Sequence, residues 1–148
     1  MNSESIAAVE RELSTNLIGH PLLWYAQVGS TNDLVRERAR DGAPEGLVIG
    51  ADEQIAGRGR QGRGWIAPPG SGLLLSVLLR PSLSPADLFV VTMLAGVALC
   101  EAVEQVAPLP AALKWPNDLM LPARPGAPPA THKAAGILSE VELAGGRT

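Results

Sequence analysis

Residues 46–65, GLVIGADEQIAGRGRQGRGW, limit what this chain can fold into more than any other stretch. Gly46–Asp52 is an apolar run of strand-like residues. It leads into Gln54–Trp65, which holds four glycines, the three arginines Arg58, Arg60 and Arg63, and no acidic residue. Glycine allows positive φ and close approach of backbone to a ligand. Arginine offers a rigid, permanently charged fork matched to carboxylates and phosphates. A buried strand ending in such a segment describes a fixed root and a mobile cationic loop that closes over a small anion. Alone, the stretch also fits a solvated Gly/Arg linker or an RNA-binding tract. It lacks the G-K-[ST] ending of a P-loop. GRGRQG matches GxGxxG by letter, but polar Arg63-Gly64-Trp65 follows where a dinucleotide-binding helix would open.

The rest of the chain supplies a domain to carry that loop. Its 148 residues suffice for one domain with a core, and 46% hydrophobic with 18% charged content is an ordinary soluble composition. Aromatics are only 3%, so Leu, Val, Ile and Ala must build the core. The net charge of −3 argues against general nucleic-acid binding. A cationic site on an acidic chain suits the steering of an anionic substrate such as a nucleoside triphosphate. The single cysteine, Cys100, rules out an intrachain disulfide and fits a reducing cytoplasm. It lies in an apolar helical run and reads as a buried small hydrophobe. No basic n-region opens the chain, and no run reaches the ~20 apolar residues of a membrane span, Leu88–Cys100 being too short.

In order, Ser5–Asn16 reads as an amphipathic helix and Leu22–Val28 as a strand. Gly29-Ser30-Thr31-Asn32 turns into a helix running to about Arg40, stopped by Asp41-Gly42. Ser30 and Thr31 suit plain N-capping, and equally a polar ligand at a helix N-terminus. Gly72–Leu79, apolar at nearly every position, reads as a strand buried on both faces. Ser84-Pro85-Ala86-Asp87 should start a helix to about Val106, with Leu88, Val91, Leu94, Val97, Leu99 and Val103 in the core. Ala111–Trp115 is a strand, Leu121–His132 an inserted Pro-rich loop, Lys133–Leu143 a strand, and Ala144-Gly145-Gly146 a turn. Lys114 and Asp118 suit a salt bridge across a turn. Lys133 suits a solvated strand end.

Four segments in order resemble the biotin–protein ligases: Ser30-Thr31-Asn32, the GRGR-type loop, KWPND at Lys114–Asp118, and KAAGILSE at Lys133–Glu140. The likeness covers roughly residues 22–143. It implies an α/β fold of the α+β type: a mixed or antiparallel sheet with helices on one side, as in class II aminoacyl-tRNA synthetases. It divides the chain into a helical lead-in, 1–20, and the N-terminal part of a catalytic domain, 21–148. The implied chemistry is ATP-dependent. Biotin's carboxylate attacks the α-phosphate to give biotinyl-5′-AMP and pyrophosphate, and a specific lysine of a biotin carboxyl carrier domain then takes the biotin, releasing AMP.

The resemblance assigns the residues as follows. Ser30, Thr31, Asn32, Gln54, Gly57, Arg58, Gly59, Arg60, Lys133 and Gly136 bind biotin or its adenylate. Arg58 and Lys133 are catalytic. Arg60, Arg63, Trp65, Lys114 and Asn117 serve ATP, and Asp118 serves Mg²⁺. Gln61 stands where the family often has arginine. With about twenty residues before the likeness, the expected type is ligase-only, without a DNA-binding module, cytoplasmic, off the membrane, and compatible with a homodimer. A further glycine-containing strand and a small C-terminal domain would follow in the family. Without them Lys133–Leu143 would be an apolar edge, so low solubility and little activity are expected. A lipoate–protein ligase would share the fold, but its RRxSGGG-type motif is absent. A non-catalytic nucleotide- or RNA-binding module is the alternative from another class.

Overall fold

The computed structural model describes residues 3–107, 109–128 and 132–142. They form two compact units, Met1–Pro81 and Ser82–Thr148. The α/β class with mixed and antiparallel strands is as expected, but the strands form one three-stranded sheet in each unit.

In the first unit, helix α1 (Ser3–Glu12) stops four residues before the expected end. Strand β1 (Leu22–Tyr25) is followed by helix α2 (Thr31–Arg40), and the chain returns as strand β2 (Val48–Ala51), parallel to β1. Strand β3 (Leu74–Val77) then pairs antiparallel with β2. α2 ends where Asp41-Gly42 predicts, with Gly42 at φ +86°, a conformation glycine takes without steric cost. All four β2 residues are buried, because β2 is central and α2 packs across it and β3. Val35, Leu47 and Ile49 form the core cluster, with Leu23, Tyr25, Leu34 and Leu78 packed around it. Full burial of an aliphatic side chain contributes about 1.5–3 kcal/mol. Trp24 lies over Gly50, its register partner, so that a Cβ on Gly50 would collide with the indole. The indole N–H donates to Asp52 Oδ1 at 2.9 Å.

β3 corrects the sequence reading. It is not buried on both faces: Leu75 is 43% exposed, while Leu74 and Ser76 are buried. The strand alternates because only one of its faces meets the core.

In the second unit, Ser84 and Pro85 open a 3₁₀ turn, Pro85–Asp87, rather than the helix itself. The Ser84 hydroxyl donates to the Asp87 carboxylate at 2.6 Å instead of capping a helix. Helix α3 (Phe89–Val106) packs on strands β4 (Ala112–Lys114) and β5 (Asp118–Leu121). β5 pairs antiparallel with β4 and with β6 (His132–Gly136). β5 was not expected; it carries Leu119, which is only 1% exposed.

The expected core role of α3 needs correction. Leu94 is 63% and Val97 47% exposed, and Gly96 is the buried residue of the helix. Three short strands cover only part of an 18-residue cylinder. The expectation that no apolar run is long enough for a membrane also needs correction. Pro85–Val106 has the length and composition, with a mean hydropathy of 1.9 in an 18-residue window, a property it shares with core helices of soluble proteins. Cys100 is half-buried, and burial with nearby Glu104 and Glu101 pushes its thiol pKa up, away from reactivity. β6 is shorter than the expected Lys133–Leu143. Leu143 and the Ala144–Gly146 turn lie outside the described residues.

Candidate functional site

Parallel β1 and β2 run out at the same end of the first sheet, so the segments after them meet there. The general rule places ligand sites beyond the carboxyl ends of such strands. Pairing continues past both strands. Val28 and Gln54 form a parallel bridge, and Ala56 N–H donates to Gly29 O at 2.8 Å. Ser30-Thr31-Asn32 is thereby set against the root of the Gly/Arg loop.

A polar cluster forms at that junction. Gln54 Oε1 accepts from the Thr31 backbone N–H at 2.7 Å and from its hydroxyl at 2.9 Å. A backbone N–H can only donate, so the carboxamide oxygen must face α2 and its –NH₂ end must face away. That end lies beside Gly57, with Gln54 Nε2 3.4 Å from where a Gly57 Cβ would stand. Ser76 reaches in from β3. Its hydroxyl lies 2.8 Å from Thr31 Oγ1 and donates to Asn32 Oδ1. Ser30 stands at the N-cap position with extended backbone, yet its side chain makes no capping bond. It is 5% exposed and Thr31 3%. Plain capping therefore does not account for Ser30 and Thr31.

Sequence reasoning missed Ser76, because LLLSVLL reads as uninterrupted apolar strand. Ser76→Ala removes a donor from Asn32 and a neighbour from Thr31. We expect a loss of about 1 kcal/mol, read as a lower urea midpoint with unchanged slope.

The loop folds back on itself. Trp65 N–H donates to Gly57 O at 2.9 Å and Gly59 N–H to Arg63 O at 2.7 Å, with an Arg58–Gly64 bridge between. A 3₁₀ turn at Arg60–Gly62 closes the tip, with Gln61 at φ +58° and Gly62 at φ +71°. Arg60 and Arg63 are exposed at this tip, and Trp65 is half-buried at the base. Gly57 is buried, and a Cβ there would collide with the Trp65 carbonyl oxygen. Backbone cannot swing aside as a side chain can. Gly57→Ala should cost the hairpin about 1–3 kcal/mol. Tryptic cleavage after Arg58, Arg60 and Arg63 should then accelerate roughly tenfold or more.

Arg58 turns back onto α2. Its two terminal nitrogens donate to the two carboxylate oxygens of Asp33 at 2.5 and 2.7 Å. Asp33 Oδ1 also accepts from Arg36 at 3.0 Å. The Arg58 hydrogen bond, with the charges of Arg58 and Arg36, outweighs desolvation and holds the Asp33 carboxyl below the usual carboxylate range. Sequence reasoning missed Asp33, which resembles any acid in a first helical turn.

The second unit gathers Lys114, Asn117, Asp118, Lys133 and Gly136. Lys114 and Asp118 face each other across β4 and β5, and Asp118 faces Gly136 across β5 and β6. A bulge at Leu119/Met120 shifts the register that follows. Lys133 Nζ pairs with Asp118 Oδ1 at 2.7 Å. The Asn117 carboxamide donates to Ile137 O at 3.0 Å, and Ile137 N–H donates to Asn117 O at 2.9 Å, clasping the chain after β6 to the KWPND turn. Among the described residues no three His, Cys, Asp or Glu side chains group as metal ligands.

The assembled groups suit a carbonyl acceptor near Gln54 and an anion near Arg58. The family described as Biotin/lipoate A/B protein ligase matches residues 24–147. The Biotin--[acetyl-CoA-carboxylase] ligase of Mycobacterium tuberculosis is 41% identical over 142 residues, covering 89% of this chain and 50% of that protein. The bifunctional ligase/repressor BirA of Bacillus subtilis is 35% identical over 130 residues, covering 88% and 38%. The structure of biotin protein ligase from Aquifex aeolicus in complex with biotin and ATP matches with a TM-score of 0.67 at 33% identity, over 81% of this chain and 46% of that one. The chain thus spans half or less of the length of these relatives. A match over residues 24–147, which takes in both the Thr31–Gln54 junction and the Lys133–Asp118 pair, places this chain in the biotin/lipoate A/B protein ligase family.

Proposed function

We propose that this chain carries the substrate-activating part of a biotin–protein ligase, which makes biotinyl-5′-AMP from biotin and ATP and passes biotin to a lysine of a biotin carboxyl carrier domain. The observation that carries this reading is the Thr31–Gln54 junction. Gln54 is pinned by its oxygen, so it offers N–H donors, and Ser30 offers a hydroxyl free of capping duty. A cyclic urea, with one carbonyl acceptor and flanking N–H donors, matches that set. The dithiolane ring of lipoate presents no hydrogen-bonding group to it.

Each remaining residue has a role in this reading. Asn32 holds the junction through Ser76. Gly57 and Gly59 keep the loop close to the ligand, and Gly136 allows backbone approach. Arg58 holds the biotin carboxylate and the α-phosphate face to face, a gain from placing two anions together and neutralising developing charge. Lys133 serves the carboxylate and acyl-adenylate oxygens. Arg60, Arg63 and Lys114 serve the triphosphate, and Trp65 offers an apolar wall to the nucleotide. Asn117 supports the KWPND turn from which Lys114 projects.

Mg²⁺ belongs with the nucleotide. Asp118 is a single carboxylate already shared with Lys133, which is not a protein cage for the ion. No step is assigned to a protein-held metal.

The test is isotope exchange between pyrophosphate and ATP. Exchange that requires biotin, and that lipoate does not support, is expected. Exchange that lipoate supports and biotin does not would overturn the reading.

A further inference from the structure

Arg58 spends both terminal nitrogens on Asp33, at 2.5 and 2.7 Å. This is the fork-to-carboxylate geometry it would offer a substrate carboxylate or phosphate. That end-on edge of the guanidinium, two of its five N–H donors, cannot hold Asp33 and a ligand anion at once. Asp33 is therefore a resident competitor at the position where the ligand's charge must be met.

Three features make the exchange easy. The pair is partly solvated, with side-chain exposures of 35% for Arg58 and 48% for Asp33, so its attraction is screened. Arg36, one turn along α2, already contacts Asp33 Oδ1 at 3.0 Å. When Arg58 leaves, the carboxylate still has a cation. Asp33 also lies in the first turn of α2, where the helix dipole favours a negative charge. Leaving Asp33 does not strand a bare anion.

We propose that Asp33 is a positioning residue: it parks the Arg58 fork beside the Thr31–Gln54 junction and yields it to the anionic group of the ligand. This rests on the reading of Arg58 as the holder of the biotin carboxylate and α-phosphate. Asp33 then sets how tightly the adenylate binds, without touching it. Loss of Asp33 charge should tighten binding of an anionic ligand. Loss of Arg36, which supports the abandoned carboxylate, should weaken it. A general disturbance of the fold would move both variants the same way.

The experiment is calorimetric titration of the full chain with biotinyl-5′-AMP and, separately, with uncharged biotinamide. Asp33→Asn should bind the adenylate about two- to fivefold more tightly, the size of one exposed ion pair. Asp33→Ser, also a good residue at a helix start, should do the same. Arg36→Ala should bind it about twofold more weakly. Biotinamide affinity should be the same in all four proteins. Equal or weaker adenylate binding by both Asp33 variants, with wild type binding normally, overturns the parking role. Equal tightening for biotinamide overturns it too, because the effect would not depend on the ligand's charge. Wild-type protein that binds neither ligand overturns the biotin reading itself, and the proposal with it.

Discussion

Arg58→Ala is expected to slow biotin-dependent pyrophosphate exchange by at least ~10²-fold, the cost of losing one donor that meets developing charge. The expectation rests on where the loop holds this side chain. Arg58 follows Gly57, whose backbone is locked against Trp65, and its bidentate bond to Asp33 aims the fork at the α2 N-terminus. Of the three loop arginines, Arg60 and Arg63 lie at the exposed tip, while Arg58 is half-buried near the root. Arg58→Lys keeps the charge but loses the planar fork, so it should recover only a small part of the rate. Near-normal exchange in Arg58→Ala would remove Arg58 from the chemistry and leave the Asp33 pair as surface decoration.

Lys133→Met should weaken biotin binding by the ~1.5–3 kcal/mol of a charge-assisted hydrogen bond, about ten- to a hundredfold. Methionine keeps most of the stem and removes the cation. The contact with Asp118 complicates the result, because removing Lys133 also deprives a carboxylate that is only 22% exposed of its partner. Asp118→Asn separates the two effects: it keeps the Lys133 charge and should weaken biotin binding far less. Unfolding by urea, run beside the titrations, shows how much of each change belongs to stability. Unchanged affinity in Lys133→Met would return this residue to a plain strand end paired with Asp118.

The parts of the fold that could be read in the sequence have strong local signals. β2 is a short apolar run, and α2 is bracketed by Ser30 and Asp41-Gly42, so the order β1–α2–β2 could be read; that β2 pairs parallel with β1 and brings Gln54 to Thr31 could not, because pairing direction leaves no mark in the local pattern. Ser76 could not be read, because the pattern around it is apolar on both faces and only packing decides that the serine turns inward. Asp33 could not be read because its partner is 25 residues away in a loop. β5 was lost because Asp118 looked like the end of a turn, although Leu119 behind it is 1% exposed. Apart from the resemblance, Lys114 and Asp118 suited a salt bridge across the turn. The structure pairs Asp118 with Lys133 instead, past a bulge in the β5–β6 register that no local pattern announces. α3 was read as core from its composition, but composition cannot report how much sheet is available to cover it.

The most direct test of the account is the ligand preference of the Thr31–Gln54 junction, measured by calorimetry with biotin, lipoate and a short RNA in turn. The account predicts saturable binding of one biotin, tighter in the presence of ATP, and no measurable heat with lipoate or RNA. Gln54→Ala, which removes the pinned N–H donors, should abolish most of the biotin affinity. Binding of RNA or lipoate in place of biotin, or full biotin affinity in Gln54→Ala, would contradict it.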